Sequence, residues 1–138
     1  MIIRLVLIAL IFYSLPVTAA NLLITEAWIR NLPAVMPVRA GYMSIANVQT
    51  QAITIERLTS ESFDRIEIHQ SIEKDGVVSM QPVHALTIEP NETLQLAPGG
   101  YHLMMMHPLK TLEPGNKIIV TIDFDDQSTQ NIEMIVRK

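Results

Sequence analysis

Four residues of this 138-residue chain carry a recognisable chemistry at a fixed spacing. They are His69, Met80 with ten residues between them, His102 after twenty-one more, and Met104 with one residue between it and His102. Thioether sulfur is soft and neutral. It binds hard divalent ions poorly and suits Cu(I), and imidazole accepts the same ion. The chain has no cysteine, so a soft metal site can only be assembled from methionine and histidine.

Strands must position these side chains. Gly99-Gly100-Tyr101-His102-Leu103-Met104-Met105-Met106 reads as a strand. Alternate residues share a face about 6.5–7 Å apart, so His102 and Met104 point the same way and Met105 points into the core. Met106 has the parity of the site and is expected as wall or core. Arg65 to His69 and Val77 to Val83 alternate, with the turn signal Asp75-Gly76 between them. With a tip at Lys74-Asp75 or its neighbours, His69 and Met80 fall nearly opposite each other and share a face. Each half then brings two ligands together, and the fold must join the halves.

The four-residue spacing, with Pro98-Gly99-Gly100-Tyr101-His102-Leu103-Met104 around its end, resembles the periplasmic PCu(A)C copper chaperones. Ala27-Trp28-Ile29-Arg30, Ala40-Gly41-Tyr42-Met43 followed by Asn47, and Leu112-Glu113-Pro114-Gly115 are also similar to that family, and the resemblance runs from Leu22 to Val136. One departure is Gln70, where the family often has methionine. The resemblance implies a cupredoxin-like Greek-key fold. It also implies one Cu(I) held by His69, Met80, His102 and Met104, and delivery to an acceptor on the route of cytochrome c oxidase CuA assembly. That acceptor would be oxidase subunit II or a Sco-type thiol protein.

The remaining sequence sets the context. The length fits one domain with a core of its own. The formal net charge is −4, basic residues are few and dispersed, and aromatics make up 5%, so a nucleic-acid surface is not expected. Arg4, the apolar run Leu5 to Phe12 and the small-residue end Pro16-Val17-Thr18-Ala19-Ala20 read as a secretory signal peptide over residues 1–20, cleaved after Ala19 or Ala20. The alternative, an N-terminal anchor, needs a span of about 20 apolar residues. Without cysteine there is no disulfide framework, no lipid-modified N-terminal cysteine and no thiolate for a blue-copper centre. A monomeric periplasmic protein without stable membrane insertion is expected, its copper domain covering residues 21–138.

Taken in order, strands are expected at Leu22–Arg30 with Trp28 as a buried candidate, and at Arg39–Asn47 and Ala52–Leu58. The site hairpin follows, then His84–Ile88, Thr93–Ala97, Gly99–His107, Lys117–Phe124 and Gln130–Val136. Short strands punctuated by Pro and Gly argue for an all-β sandwich or barrel. Met36 and Met43 read as packing residues, and His84 and His107 as surface or loop histidines. Three functions compete: a copper chaperone, a copper buffer with no dedicated acceptor, and an enzyme or adhesive sandwich with incidental histidines. The enzyme reading is disfavoured because no nucleophile–base arrangement is visible and hydrolytic zinc sites use His with carboxylate or Cys. The buffer is disfavoured because the chain has no long Met/His-rich tail.

Overall fold

The structure, a computed structural model, describes residues 19–138. The signal-peptide reading therefore lies outside the described residues except at its last two positions. No helix occurs among the described residues. The elements are β1 (Leu23–Arg30), β2 (Val38–Ala46), β3 (Ile53–Thr59), β4 (Phe63–Lys74), β5 (Val77–Val83), β6 (Leu86–Ile88), β7 (Thr93–Leu96), β8 (Tyr101–Pro108), β9 (Lys117–Phe124) and β10 (Thr129–Arg137).

The wall closes into a barrel. Strands β4, β8, β2, β1, β10, β9 and β3 pair in turn, and β3 meets β4 again at Leu58↔Ile66. Beyond that bridge β3 and β4 part, and β6 then pairs with β3 and β5 with β4. A similar split separates β2 from β8, where β7 pairs with the far half of β2 and touches β8 at Tyr101. All pairings are antiparallel except β1 with β10 and β7 with β8. Inward residues alternate along the strands and build the core. Ile118, Val120, Ile122 and Phe124 come from β9, Ile132, Met134 and Val136 from β10, and Leu103 and Met105 from β8. Closure gives most strands two partners and removes most free edges.

One irregularity decides what faces outward. In β1, Glu26 adopts φ 52°, and the register with β2 slips by one residue between Thr25↔Ser44 and Trp28↔Tyr42. Without this bulge, alternation from Leu22 and Ile24 would carry Trp28 inward. With it, Ile29 enters the core and is fully buried, while Trp28 stays half-buried on the outer wall. There it packs on Tyr42 with centroids 4.8 Å apart, and Arg137 lies over its ring at 5.8 Å. A bulge re-aims side chains in just this way. The expectation that Trp28 is buried is thus corrected to half-buried on the outer wall.

A second correction concerns the hairpin. Its tip is Asp75-Gly76, with φ of 54° and 76°, flanked by Lys74↔Val77. Positive φ at both central residues is the two-residue turn that matches strand twist, and Gly in the second place suits it. This register sets Met80 opposite Ser71 and His69 opposite Pro82. Met80 is therefore one diagonal step from His69 rather than across from it. The shift is an even number of residues, so both still point to the same face.

Among the described residues no helix is long and apolar enough to cross a membrane. At the start of the described chain, the Ala20 N–H donates to Asp126 Oδ2 at 3.0 Å and Ser128 Oγ at 3.1 Å, and the Ala20 side chain joins the core.

Gly41 on β2 sits where three core side chains converge. A Cβ there would lie 3.1 Å from Leu103 Cβ, Met105 Sδ and Met134 Cε. Gly41→Ala is expected to destabilise the barrel by about 1–3 kcal/mol, the usual scale of overpacking. Urea unfolding would show this as a lower midpoint with unchanged slope. An unchanged midpoint would show that the neighbours yield without strain.

Candidate metal centre

The site lies on the outer face of the wall, where β4 and β8 pair. Their register sets His69 directly opposite His102 and Glu67 opposite Met104. The pairing of β2 with β8 places Ala40 beside Met104, a small residue next to a long one. Ile68 and Leu103, the opposed neighbours of the two histidines, both point inward. Strand parity therefore puts His69, His102, Met104 and Met80 on one face.

Both imidazoles are buried, His69 at 8% and His102 at 7% exposure, although they lie outside the core. Their rings are 6.0 Å apart, centroid to centroid, and inclined at 45°. An ion about 2 Å from one nitrogen of each ring fits between rings so spaced. Met104 is half-buried, and Met80 is 59% exposed on the hairpin. The donors thus grade from two buried nitrogens to one thioether at the solvent.

Each imidazole has one nitrogen tied down. His102 Nδ1 lies 3.1 Å from the Gly100 carbonyl. A carbonyl can only accept, so Nδ1 carries the proton and Nε2 keeps its lone pair. His69 Nε2 lies 2.8 Å from Glu67 Oε2. The ionised carboxylate also only accepts, so in the neutral ring the proton sits on Nε2 and Nδ1 is left as a base. That Nδ1 is buried and has no hydrogen-bond partner. A buried polar atom without a partner is costly, and a bound cation would remove the cost. An acceptor on the far nitrogen of a histidine is the usual support for a metal-ligating ring.

Glu67 is itself held. Its Oε1 forms a salt bridge with Arg65, 3.1 Å from Nε. Its carboxyl is held below its ordinary value, first by the hydrogen bond from His69, against a partial cost of burial, and then by the Arg65 charge. The Arg65 guanidinium also reaches the Met106 sulfur, with Nη2 at 3.1 Å. Met106 therefore shares the outer face, but its sulfur is already engaged by Arg65, and it forms wall, as expected. Met105 and Met43 are buried in the core. His84 and His107 are exposed, and His107 lies 3.6 Å from Asp64.

A cavity of about 230 Å³ opens over the site. It is lined by Met80, His102, Met104, Ser71, Tyr42, Ala40, Val38, Arg39, Pro98 and Gly99, and by Leu32 and Met36 from the loop before β2. Among the described residues no three His, Cys, Asp or Glu side chains come together as a metal cage. The arrangement offers two imidazole lone pairs and thioether sulfurs, a donor set for a soft monovalent ion rather than a hard divalent one.

The structure brings the four residues of the spacing to one face, together with three supports that the sequence reading did not include. Glu67 shares the outer face with His69 at i−2, a spacing that could have marked it as the ring's acceptor. The Gly100 carbonyl and the loop around Met36 carry no comparable signal, because both depend on chain geometry rather than residue type.

The sequence profile of the family described as "Putative lipoprotein LpqE-like" matches residues 22–136. The "Putative lipoprotein Lxx21020" of Leifsonia xyli subsp. xyli (strain CTCB07) is 30% identical over 115 residues, covering 83% of this chain and 68% of that protein. The "Uncharacterized protein RP573" of Rickettsia prowazekii (strain Madrid E) is 32% identical over 94 residues, and this chain spans about half of it, 51%. Among solved structures, the "Copper-bound PCuAC domain from PmoF2" superposes with TM-score 0.72 at 18% identity, covering 88% of this chain and 96% of that one. The solution structure of "CuI-DR1885" from Deinococcus radiodurans superposes with TM-score 0.71 at 25% identity, covering 87% and 80%.

Replacing Glu67 with alanine removes the acceptor that fixes the His69 tautomer. In the metal-free protein, nitrogen-15 spectra of the His69 ring are expected to change from one tautomer, protonated at Nε2, to a mixture. His102 should be unaffected, since its proton is fixed by a backbone carbonyl. An unchanged His69 pattern would show that Glu67 does not set it.

Proposed function

The chain belongs to the LpqE-like family, which is the PCu(A)C family, and from that footing we propose that it is an exported chaperone that carries one Cu(I) on His69, Met80, His102 and Met104. The observation that carries this reading is the pair of buried imidazoles facing each other across β4 and β8. Each has one nitrogen held by an acceptor, and Met104 and Met80 lie on the same face. Solved relatives described as copper-bound and as Cu(I)-loaded support the same metal.

The residues divide the work. The imidazoles supply the stronger, buried donors, and their hydrogen bonds keep the lone pairs available. The thioethers favour the reduced ion and add no charge. Copper is cargo here, so release matters as much as binding. Met80 stands at the solvent on a hairpin, where an incoming ligand can displace it first. An acceptor with thiolates binds Cu(I) more strongly than neutral thioethers do and can draw the ion away by successive exchange. The chain's resemblance to oxidase-assembly chaperones points to the CuA site of oxidase subunit II or a Sco-type thiol protein as that acceptor. No chemical step on a substrate is assigned to the site.

Export is part of the proposal. Cleavage after Ala19 would make Ala20 the N-terminus, and its ammonium would then meet the Asp126 carboxylate that already accepts from Ala20 N–H. Cleavage after Ala20 would remove a residue packed in the core. Intact mass of protein recovered from the periplasm is therefore expected to correspond to residues 20–138. A mass beginning at Asn21 would contradict the assignment, and an uncleaved chain would contradict export by signal processing.

Titration of the mature protein with Cu(I) against a competing chelator is expected to give one ion per chain. Met80→Ala with Met104→Ala should weaken it by more than about a hundredfold, the upper scale for losing a single group that only supports a metal ligand. Loaded protein mixed with apo acceptor should lose copper to it, and a deletion strain should lack oxidase activity under copper limitation. Undiminished affinity in the double variant would remove the ligand assignment. Normal oxidase in the deletion strain, with no transfer and increased copper sensitivity, would identify a buffer instead.

A further inference from the structure

The cavity over the site holds a third thioether that the four-residue spacing does not include. Met36, from the loop between β1 and β2, lines the same 230 Å³ cavity as Met80, His102 and Met104, whereas His69 is not among its lining residues. Met36 is 45% exposed and lies outside the core.

The loop that carries Met36 is held in place at some cost. Arg39 is 3% exposed. Its Nη1 donates to the Met36 carbonyl at 2.7 Å and to the Val38 carbonyl at 3.0 Å, and its Nη2 donates to the Pro33 carbonyl at 3.3 Å. No carboxylate forms a salt bridge with it among the described residues, and its Nε is buried without a partner. Burying a guanidinium among neutral carbonyls is unfavourable. Here it fixes the backbone at Pro33 and Met36. The Met36 N–H closes the turn on the Pro33 carbonyl at 2.9 Å, and Pro33 and Pro37 limit the chain on either side. The backbone of Met36 is therefore fixed, while its side chain keeps three rotatable bonds.

We propose that Met36 is a further copper ligand, a third thioether that engages Cu(I) from the loop side of the cavity. The inference rests on the copper reading of the site. With Met36 engaged, the ion can keep soft donors on both sides as one ligand leaves. Met36 and Met80, the two exposed sulfurs of the cavity, then form the path by which copper enters and departs. The competing role is an apolar cover, for which any side chain of similar volume would serve.

Methyl-labelled methionine separates the two. In spectra of the full mature chain titrated with Cu(I), the Met36 ε-methyl is expected to shift together with those of Met80 and Met104, while the core methyls of Met105 and Met134 stay fixed. Met36→Leu keeps the volume and the apolar cover but removes the sulfur. It is expected to weaken Cu(I) about tenfold, the lower scale for loss of a supporting group at a metal site, and to leave the thermal unfolding of the metal-free protein unchanged. A Met36 methyl that stays put while those of Met80 and Met104 move, or an unchanged affinity in Met36→Leu, would overturn the inference and leave the copper site standing. If none of the three methyls moves, the copper reading itself fails, and the inference fails with it.

Discussion

The register between β4 and β8 is the constraint on which the site depends. It fixes which residues stand opposite each other along both strands, and so puts His69 across from His102. A slip by one residue would turn an imidazole into the core and a core residue, Ile68 or Leu103, out to solvent. The inward apolar residues therefore enforce the outward arrangement of the donors. Burial of hydrocarbon on one face of the sheet is what positions the chemistry on the other.

Around that pair the outer wall departs from an ordinary solvated surface. Tyr42, the Pro98-Gly99 corner and the loop before β2 cover it. The Glu26 bulge turns Trp28 onto the same side, against Tyr42. The two imidazoles are thus excluded from water without being part of the barrel interior. A soft ion bound there exchanges water for nitrogen and sulfur, and the imidazole protons are already committed to Glu67 and Gly100. The tautomers of both rings are set by the chain itself, without a metal.

Much of this was legible in the chain. Alternation with Pro and Gly punctuation located all ten strands within a few residues, and parity put His102 and Met104 on one face and Met105 on the other. The four-residue spacing read as a soft-metal donor set through its resemblance to a known family, and the structure sets those four side chains on one face. What remained hidden depends on register and on single backbone angles. Which residue faces His69 is fixed by the tip at Asp75-Gly76 and by pairing with a strand about thirty residues away. The inside-out placement of Trp28 depends on one positive φ at Glu26, a residue type with no tendency to announce it. Closure into a barrel depends on the short bridge Leu58↔Ile66, which no local pattern encodes.

Among the described residues, the hairpin that carries Met80 leaves the outer side of β5 without a neighbouring strand. An exposed strand with Val77, Val78 and Met80 at its surface is a template on which other chains could add. In the observed register, counted from the tight turn at Lys74↔Val77, residue 82 belongs to a pair whose backbone donors face outward, and that residue is Pro82. Proline has no N–H to offer, so the open side lacks a donor where an added strand would need one. Edge strands are blunted by proline in this way. An apolar, sulfur-bearing edge strand thereby carries its own guard against pairing with a second copy of itself.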